Sequence, residues 1–236
     1  MIQNEQELEQ YIMKVNRCEE EIGKQIIGQK AIIRQMILAI LTDGNVLLEG
    51  VPGVGKTQMV KAIARSMSLA FSRIQFTPDL MPSDVTGFTM VNPRSGEMEY
   101  REGAVMSQIV LADEINRTSP KTQSALLEVM EEHQVTVDGI THALPSPFMV
   151  LATQNPNEFA GTYPLPEAQI DRFFLRIQMG YPNVEQEMDI LERYSMPSSP
   201  LKTLQPVCSA NDILVMQASV KQIYCSAEVR SYVAQI

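Results

Sequence analysis

The residues with the most chemical consequence are Gly50-Val51-Pro52-Gly53-Val54-Gly55-Lys56-Thr57, between the apolar run Val46-Leu47-Leu48 and the amphipathic stretch Met59-Val60-Lys61-Ala62-Ile63-Ala64. Strand, glycine-rich turn and helix in that order are the context a phosphate-binding loop requires. The glycines let successive backbone N–H groups converge into an anion nest, and the helix start adds its positive dipole end. Lys56 is spaced to reach β- and γ-phosphates, and the Thr57 hydroxyl to ligate Mg²⁺. The loop sets the ligand class and leaves the reaction open.

A second cluster lies at Ile109-Val110-Leu111-Ala112-Asp113-Glu114. A carboxylate at the C-terminal tip of a buried strand stands at the ligand edge of an open α/β sheet. Asp113 fits the part of Mg²⁺ partner, since magnesium takes few carboxylates and keeps several waters. Glu114, one residue further out, fits a base that polarises water for attack on a γ-phosphate. Taken alone, the same pair reads equally well as a solvated turn.

Two further segments end apolar strands or helices. Thr153-Gln154-Asn155-Pro156 places an amide, Asn155, where it can orient water or touch the γ-phosphate, or else forms an ordinary Asn-Pro turn. In Leu165-Pro166-Glu167-Ala168-Gln169-Ile170-Asp171-Arg172-Phe173, Arg172 is either a helix-end cation or a cation that projects into a neighbouring subunit's nucleotide.

The elements that must position these residues follow from periodicity. Asn4 and Glu7 mark a helix start, with Leu8, Tyr11, Ile12, Val15 and Ile22 at helical spacing. A second helix carries Ile32, Ile33, Met36, Ile37, Ile40 and Leu41. Phe71–Phe76, Ile109–Ala112, Phe148–Ala152 and Phe174–Ile177 read as further strands, and Pro120 to about Glu132 as a helix. Thr77–Gly103, rich in Pro and Gly, reads as a short helix interrupted by an exposed excursion. Asp138-Gly139 between Val135-Thr136-Val137 and Thr141-His142-Ala143 predicts a hairpin. Apolar strands alternating with helices imply an α/β fold, a parallel sheet covered on both faces. After Tyr181-Pro182-Asn183 only helices are expected, and they break off at Tyr232–Ile236 without a capping glycine. This last part reads as the cut-short opening of a helical subdomain.

Composition narrows the partners. The chain has 236 residues, 44% of them hydrophobic, and a formal charge of −9. Its lysines and arginines are scattered, which counts against nucleic acid as a ligand. No apolar run is long enough to span a bilayer and no signal segment opens the chain, so a cytoplasmic location without membrane insertion is expected. Cys18, Cys208 and Cys225 lack metal-ligand spacing, and the expectation is reduced, inert thiols. The 15 methionines read as adaptable core filler.

Together these segments closely resemble the AAA+ ATPases and, within them, the MoxR family. The resemblance rests on Ile26-Ile27-Gly28-Gln29, Glu49-Gly50-Val51-Pro52-Gly53, Leu111-Ala112-Asp113-Glu114-Ile115-Asn116-Arg117, Glu128-Val129-Met130-Glu131-Glu132, Ala152–Pro156 and Leu165–Phe173. It covers the chain from about residue 10 onward. It implies a five-stranded parallel sheet sandwiched by helices, with residues 1–182 as nucleotide-binding core and 183–236 as the beginning of a helical lid. It also implies a helix-2 insert at about 85–103 and a pre-sensor-1 hairpin at about 134–147.

Residue by residue, the resemblance makes Gly50–Thr57 the Walker A motif, Asp113-Glu114 Walker B, Asn155 sensor 1 and Arg172 the arginine finger. The implied nucleotide contacts are Gly28, beside the adenine, and Gly53, Val54, Gly55, Lys56, Thr57 and Gln58, with Thr57 and Asp113 on Mg²⁺. The family's lid normally supplies a sensor-2 arginine, and nothing after Arg230 matches it. The implied activity is hydrolysis of ATP to ADP by a ring, expected to be a hexamer. Its implied clients are partner proteins, von Willebrand factor A-domain proteins among them. Alternatives are a nucleotide-gated binding module with little turnover, a magnesium-chelatase-like subunit and a nucleic-acid motor.

Overall fold

The computed structural model describes residues 2, 4–51, 53–155, 161–194 and 203–235. Pro52 of the phosphate loop, Pro156 of the strand-end motif and the terminal Ile236 lie outside them.

Strands β1 (Val46–Gly50), β2 (Phe71–Gln75), β5 (Ile109–Asp113), β8 (Met149–Gln154) and β9 (Leu175–Met179) form one sheet in the order β2-β5-β8-β1-β9. All four pairings are parallel. β8 and β9 each run two residues beyond their expected C-terminal ends, which in β8 brings Thr153 and Gln154 into the sheet. β1 and β5 are buried along their whole length, which is why they read as unbroken apolar runs.

Helices cover both faces. On one side lie α1 (Glu5–Gly23), α2 (Lys30–Leu41) and α3 (Lys56–Ser66), around Ile22, Met36, Ile37, Met59, Ile63 and Leu111. On the other lie α4 (Pro82–Thr86) and α5 (Pro120–Glu132), around Leu47, Phe76, Val110, Leu126 and Val150. Each such side chain, when fully buried, contributes about 1.5–3 kcal/mol. Asn4 caps α1 by accepting from the Glu7 amide, and Ser119 caps α5 ahead of Pro120 at its first position.

The excursion after α4 is a hairpin of its own, β3 (Gly87–Val91) with β4 (Met98–Glu102). The expected Asp138-Gly139 hairpin is β6 (Gln134–Val137) with β7 (Ile140–Ala143); its turn residues have φ of 50° and 79°. Two positive φ values in a row are the signature of a type I′ turn. The hairpins touch where the Tyr100 and His142 rings stack with centroids 3.8 Å apart.

The single-turn α6 (Glu167–Ile170) precedes β9, and α7 (Val184–Tyr194), α8 (Ala210–Val220) and α9 (Ala227–Val233) follow it. α8 and the segment before it pack on the main body: Leu204, Cys208, Ile213 and Met216 share the core of Cys18, Met36 and Met59. Gln217 Nε2 donates to the Ile40 carbonyl at 2.7 Å, and Lys14 Nζ pairs with Asp212 at 2.7 Å. The Cys18 and Cys208 sulfurs are in contact at 3.3 Å.

Candidate active site

The phosphate loop, Asp113 and Glu114 stand at the C-terminal edge of the parallel sheet, where an open α/β sheet presents its ligand crevice. β1 delivers the chain into the loop at Gly50, and α3 begins at Lys56. Gly53 and Gly55 have φ of 88° and 87°, the left-handed region that glycine enters without Cβ strain. Added Cβ atoms there would meet nothing within 4 Å. Within the protein itself, then, these glycines serve backbone shape rather than packing.

Lys56 Nζ donates to the Gly50 carbonyl at 2.7 Å, so its ammonium lies across the mouth of its own loop. Burial pushes its pKa down, and the negative charges of Asp113 and Glu114 pull against that without restoring it. A half-buried cation with one carbonyl partner has hydrogen-bonding capacity left for an anion.

Asp113 closes β5 and is buried. Its Oδ1 accepts from Thr153 Oγ1 at 2.6 Å; its Oδ2 accepts from Arg73 Nη2 at 2.6 Å and Nε at 3.1 Å. The Glu114 amide donates to the same Thr153 oxygen at 2.9 Å. Glu114 has φ 59° and ψ 48°, a left-handed conformation uncommon for a residue with a side chain. This turn ends the strand and swings the carboxylate out of the sheet. Gln75 Nε2 then donates to Glu114 Oε2 at 2.8 Å, and Arg117 Nε lies 3.4 Å from that oxygen.

A second polar group lies on the opposite face of the sheet. Glu49 points to the same side as Leu47, two residues before it, and is only 2% exposed. Its Oε1 accepts from Gln154 Nε2 at 2.5 Å and pairs with Arg176 Nη2 at 2.8 Å. Burial pushes the Glu49 pKa up, but Arg176, Gln154 and Gln178 outweigh it and the net shift is down. This network ties β8, β1 and β9 together one residue before the phosphate loop.

A cleft of about 440 Å³ runs from the loop to α7, lined by Ile26, Ile27, Gln29, Gly53, Val54, Gly55, Gln58, Tyr181, Ile190 and Leu191 among others. It joins an apolar wall to the anion nest, a shape suited to a planar base carrying phosphates. Gly28 is set behind its neighbours: at φ +75° it lies under Gln186 of α7, whose side chain a Cβ would strike at 2.3 Å.

Arg172 stands away from these groups in its contacts. Its Nη1 lies 2.8 Å from Glu131 Oε2 and donates to the Leu127 carbonyl at 3.2 Å, both on α5. Asn155 follows the last residue of β8 and is partly buried at the sheet's ligand edge.

Sequence reasoning singled out Lys56, Thr57, Asp113 and Glu114, but not Arg73, Gln75, Thr153, Glu49 or Arg176. Their signal is register: Gln75 pairs with Asp113 and Glu49 with Gln154 across adjacent strands, and local periodicity does not reveal such partners.

With this geometry, known proteins place the chain. The family described as "ATPase family associated with various cellular activities (AAA)" matches residues 45–175. Chaperone MoxR1 of Mycobacterium tuberculosis is 44% identical over 92% of this chain and 56% of its own length. The chain belongs to the MoxR family of AAA+ ATPases. YeaC of Bacillus subtilis is 51% identical over 94% of this chain and 69% of that protein. A crystal structure from Cytophaga hutchinsonii superposes with a TM-score of 0.86 at 43% identity, over 96% of this chain and 69% of that one. The chain thus spans about half to two-thirds of the length of these relatives. Membership confirms the expected α/β AAA+ fold. Among the described residues no helix is long and apolar enough to cross a membrane.

Proposed function

We propose that this MoxR-family chain binds and hydrolyses ATP at the phosphate loop, and that the cycle drives remodelling or assembly of partner proteins. The observation that carries the reading is the phosphate loop itself: Gly53 and Gly55 in left-handed conformations lead into α3 at the C-terminal end of β1, at the same sheet edge where β5 ends on Asp113 and Glu114. The name of the relative Chaperone MoxR1 supports the client-directed role.

In this reading the loop amides of Gly53, Val54, Gly55, Lys56, Thr57 and Gln58 take the phosphates, and the base lies in the apolar cleft with residues around Gly28 at its rim. Lys56 exchanges its Gly50 carbonyl for phosphate oxygens. The hard oxygen donors of Thr57 and Asp113 suit Mg²⁺, which takes few protein ligands. Among the described residues no group of three or more acidic, His or Cys side chains is placed to hold a metal ion. Held by Thr57 and Asp113, Mg²⁺ would supply positive charge against the phosphates. Glu114 takes a proton from the attacking water, Asn155 orients it, and Arg172 reaches the nucleotide of a neighbouring copy.

Residues 1–182 form the core and 183–236 open the lid in this reading, although α8 rests on the core. The working assembly is a ring, hexameric by family resemblance, in the cytoplasm, with von Willebrand factor A-domain proteins among its clients. Phosphate release from ATP tests the enzymatic part. It should require Mg²⁺ and disappear in Lys56→Ala; unchanged release in that variant would overturn the assignment.

A further inference from the structure

Arg73 belongs to no motif, yet it makes the shortest ion pair at the site's buried carboxylate. From β2 it reaches diagonally across one strand, since Arg73 pairs in register with Leu111 and Asp113 with Gln75. Both its Nη2 and its Nε donate to Asp113 Oδ2, at 2.6 and 3.1 Å. The two partners differ in exposure: the Asp113 side chain is 12% exposed and that of Arg73 is 45%. The carboxylate is fixed and the cation sits on an arm open to solvent.

A buried carboxylate without a counter-charge is costly, and here a second one, Glu114, adjoins it. A guanidinium stays charged at every accessible pH, so Asp113 is neutralised whether or not a nucleotide is present. A divalent cation bound at Asp113 would supply the same compensation. We infer that Arg73 is a positioning residue that stands in for Mg²⁺ at Asp113: it holds the carboxylate in the metal-free protein and competes with the metal for it. This rests on the nucleotide-site reading above.

Charge balance gives two effects of opposite sign. Removing the guanidinium makes the site more negative, which weakens metal-free ATP binding. It also frees Asp113 for the metal, so Mg²⁺ is bound more tightly. A unit charge acting over ~10 Å at an effective dielectric of ~20 is worth roughly a factor of ten.

The test is titration of the protein with a fluorescent N-methylanthraniloyl derivative of ATP in EDTA, followed by titration of that mixture with Mg²⁺. In Arg73→Gln the metal-free Kd should rise about tenfold while the half-saturating Mg²⁺ concentration falls by a similar factor. Both should return toward the parent values in Arg73→Lys, which keeps the charge. No change, or movement of both constants in the same direction, overturns the proposal. In Asp113→Asn, Arg73→Gln should no longer shift the Mg²⁺ response; a persistent shift also overturns it. Should Arg73→Gln not fold, Arg73→Met, which also removes the charge and keeps an unbranched side chain, carries the test with the same expected and overturning results. Absence of nucleotide binding by the parent protein would instead refute the nucleotide site itself, so the two failures are distinguishable.

Discussion

Arg172 is held by α5 of its own chain: its Nη1 lies 2.8 Å from Glu131 Oε2. The side chains are 35% and 57% exposed, so the pair sits at a rim where water competes for both charges. Such a contact keeps a long side chain oriented while contributing little to stability. A cation parked this way can leave its partner at small cost.

Arg172→Ala should therefore lower folding stability by less than about 1 kcal/mol while reducing turnover by about a thousandfold. Urea melts and phosphate release check the two halves. If the arginine acts in trans, mixing Arg172→Ala with Lys56→Ala subunits should restore part of the activity that neither variant has alone. A mixture as inactive as its parts would count against action across an interface.

The Glu49–Arg176 pair makes a pH-dependent contribution. The folded Glu49 pKa lies below its ordinary value of 4.5, so its stabilisation is present above that pH and is lost as the pH falls through the depressed value. Arg176 is about half exposed, which discounts the strength of the pair. Arg176→Ala should cost about 1–2 kcal/mol at pH 7, and the difference from the parent should shrink below pH 4.5. Urea midpoints at pH 7 and pH 4 measure this, and a constant difference would exclude the carboxylate as its source.

Ile213 of α8 is fully buried in the core shared with α1, α2 and α3. Ile213→Ala should destabilise the entire chain by about 2–4 kcal/mol, as a cavity in a common core does. A melt that keeps its main transition and changes only a minor one would show α8 to be a separate unit.

The sheet was legible because β1, β5 and β8 open on unbroken apolar runs and are separated by helices with recognisable starts. In β1 and β5 burial extends past those runs to Glu49 and Asp113, so hydropathy marks the strands but not their ends. The phosphate loop and Asp113-Glu114 were legible because both are contiguous in sequence. The β3–β4 hairpin was not: Gly87–Val91 and Met98–Glu102 are mostly exposed and lack clean alternation, leaving only the Pro and Gly between them as a signal. Partners joined through register or tertiary packing were also hidden. Arg73 meets Asp113 and Glu131 meets Arg172 across 40 and 41 positions of sequence, and no local pattern encodes such distances. The packing of α8 on α2 is of the same kind. Its apolar face is visible in sequence, but the surface that receives it is not.

Gln75 Nε2 donates to Glu114 Oε2 at 2.8 Å, and a glutamine at position 114 can accept the same bond through its amide oxygen. Glu114→Gln should thus preserve the site's shape while removing the base. Single-turnover hydrolysis of ATP by this variant, measured beside nucleotide binding in the same samples, tests the central claim most directly. Binding within about threefold of the parent, with hydrolysis reduced at least about a hundredfold, is the predicted result. Hydrolysis at the parent rate would contradict the account.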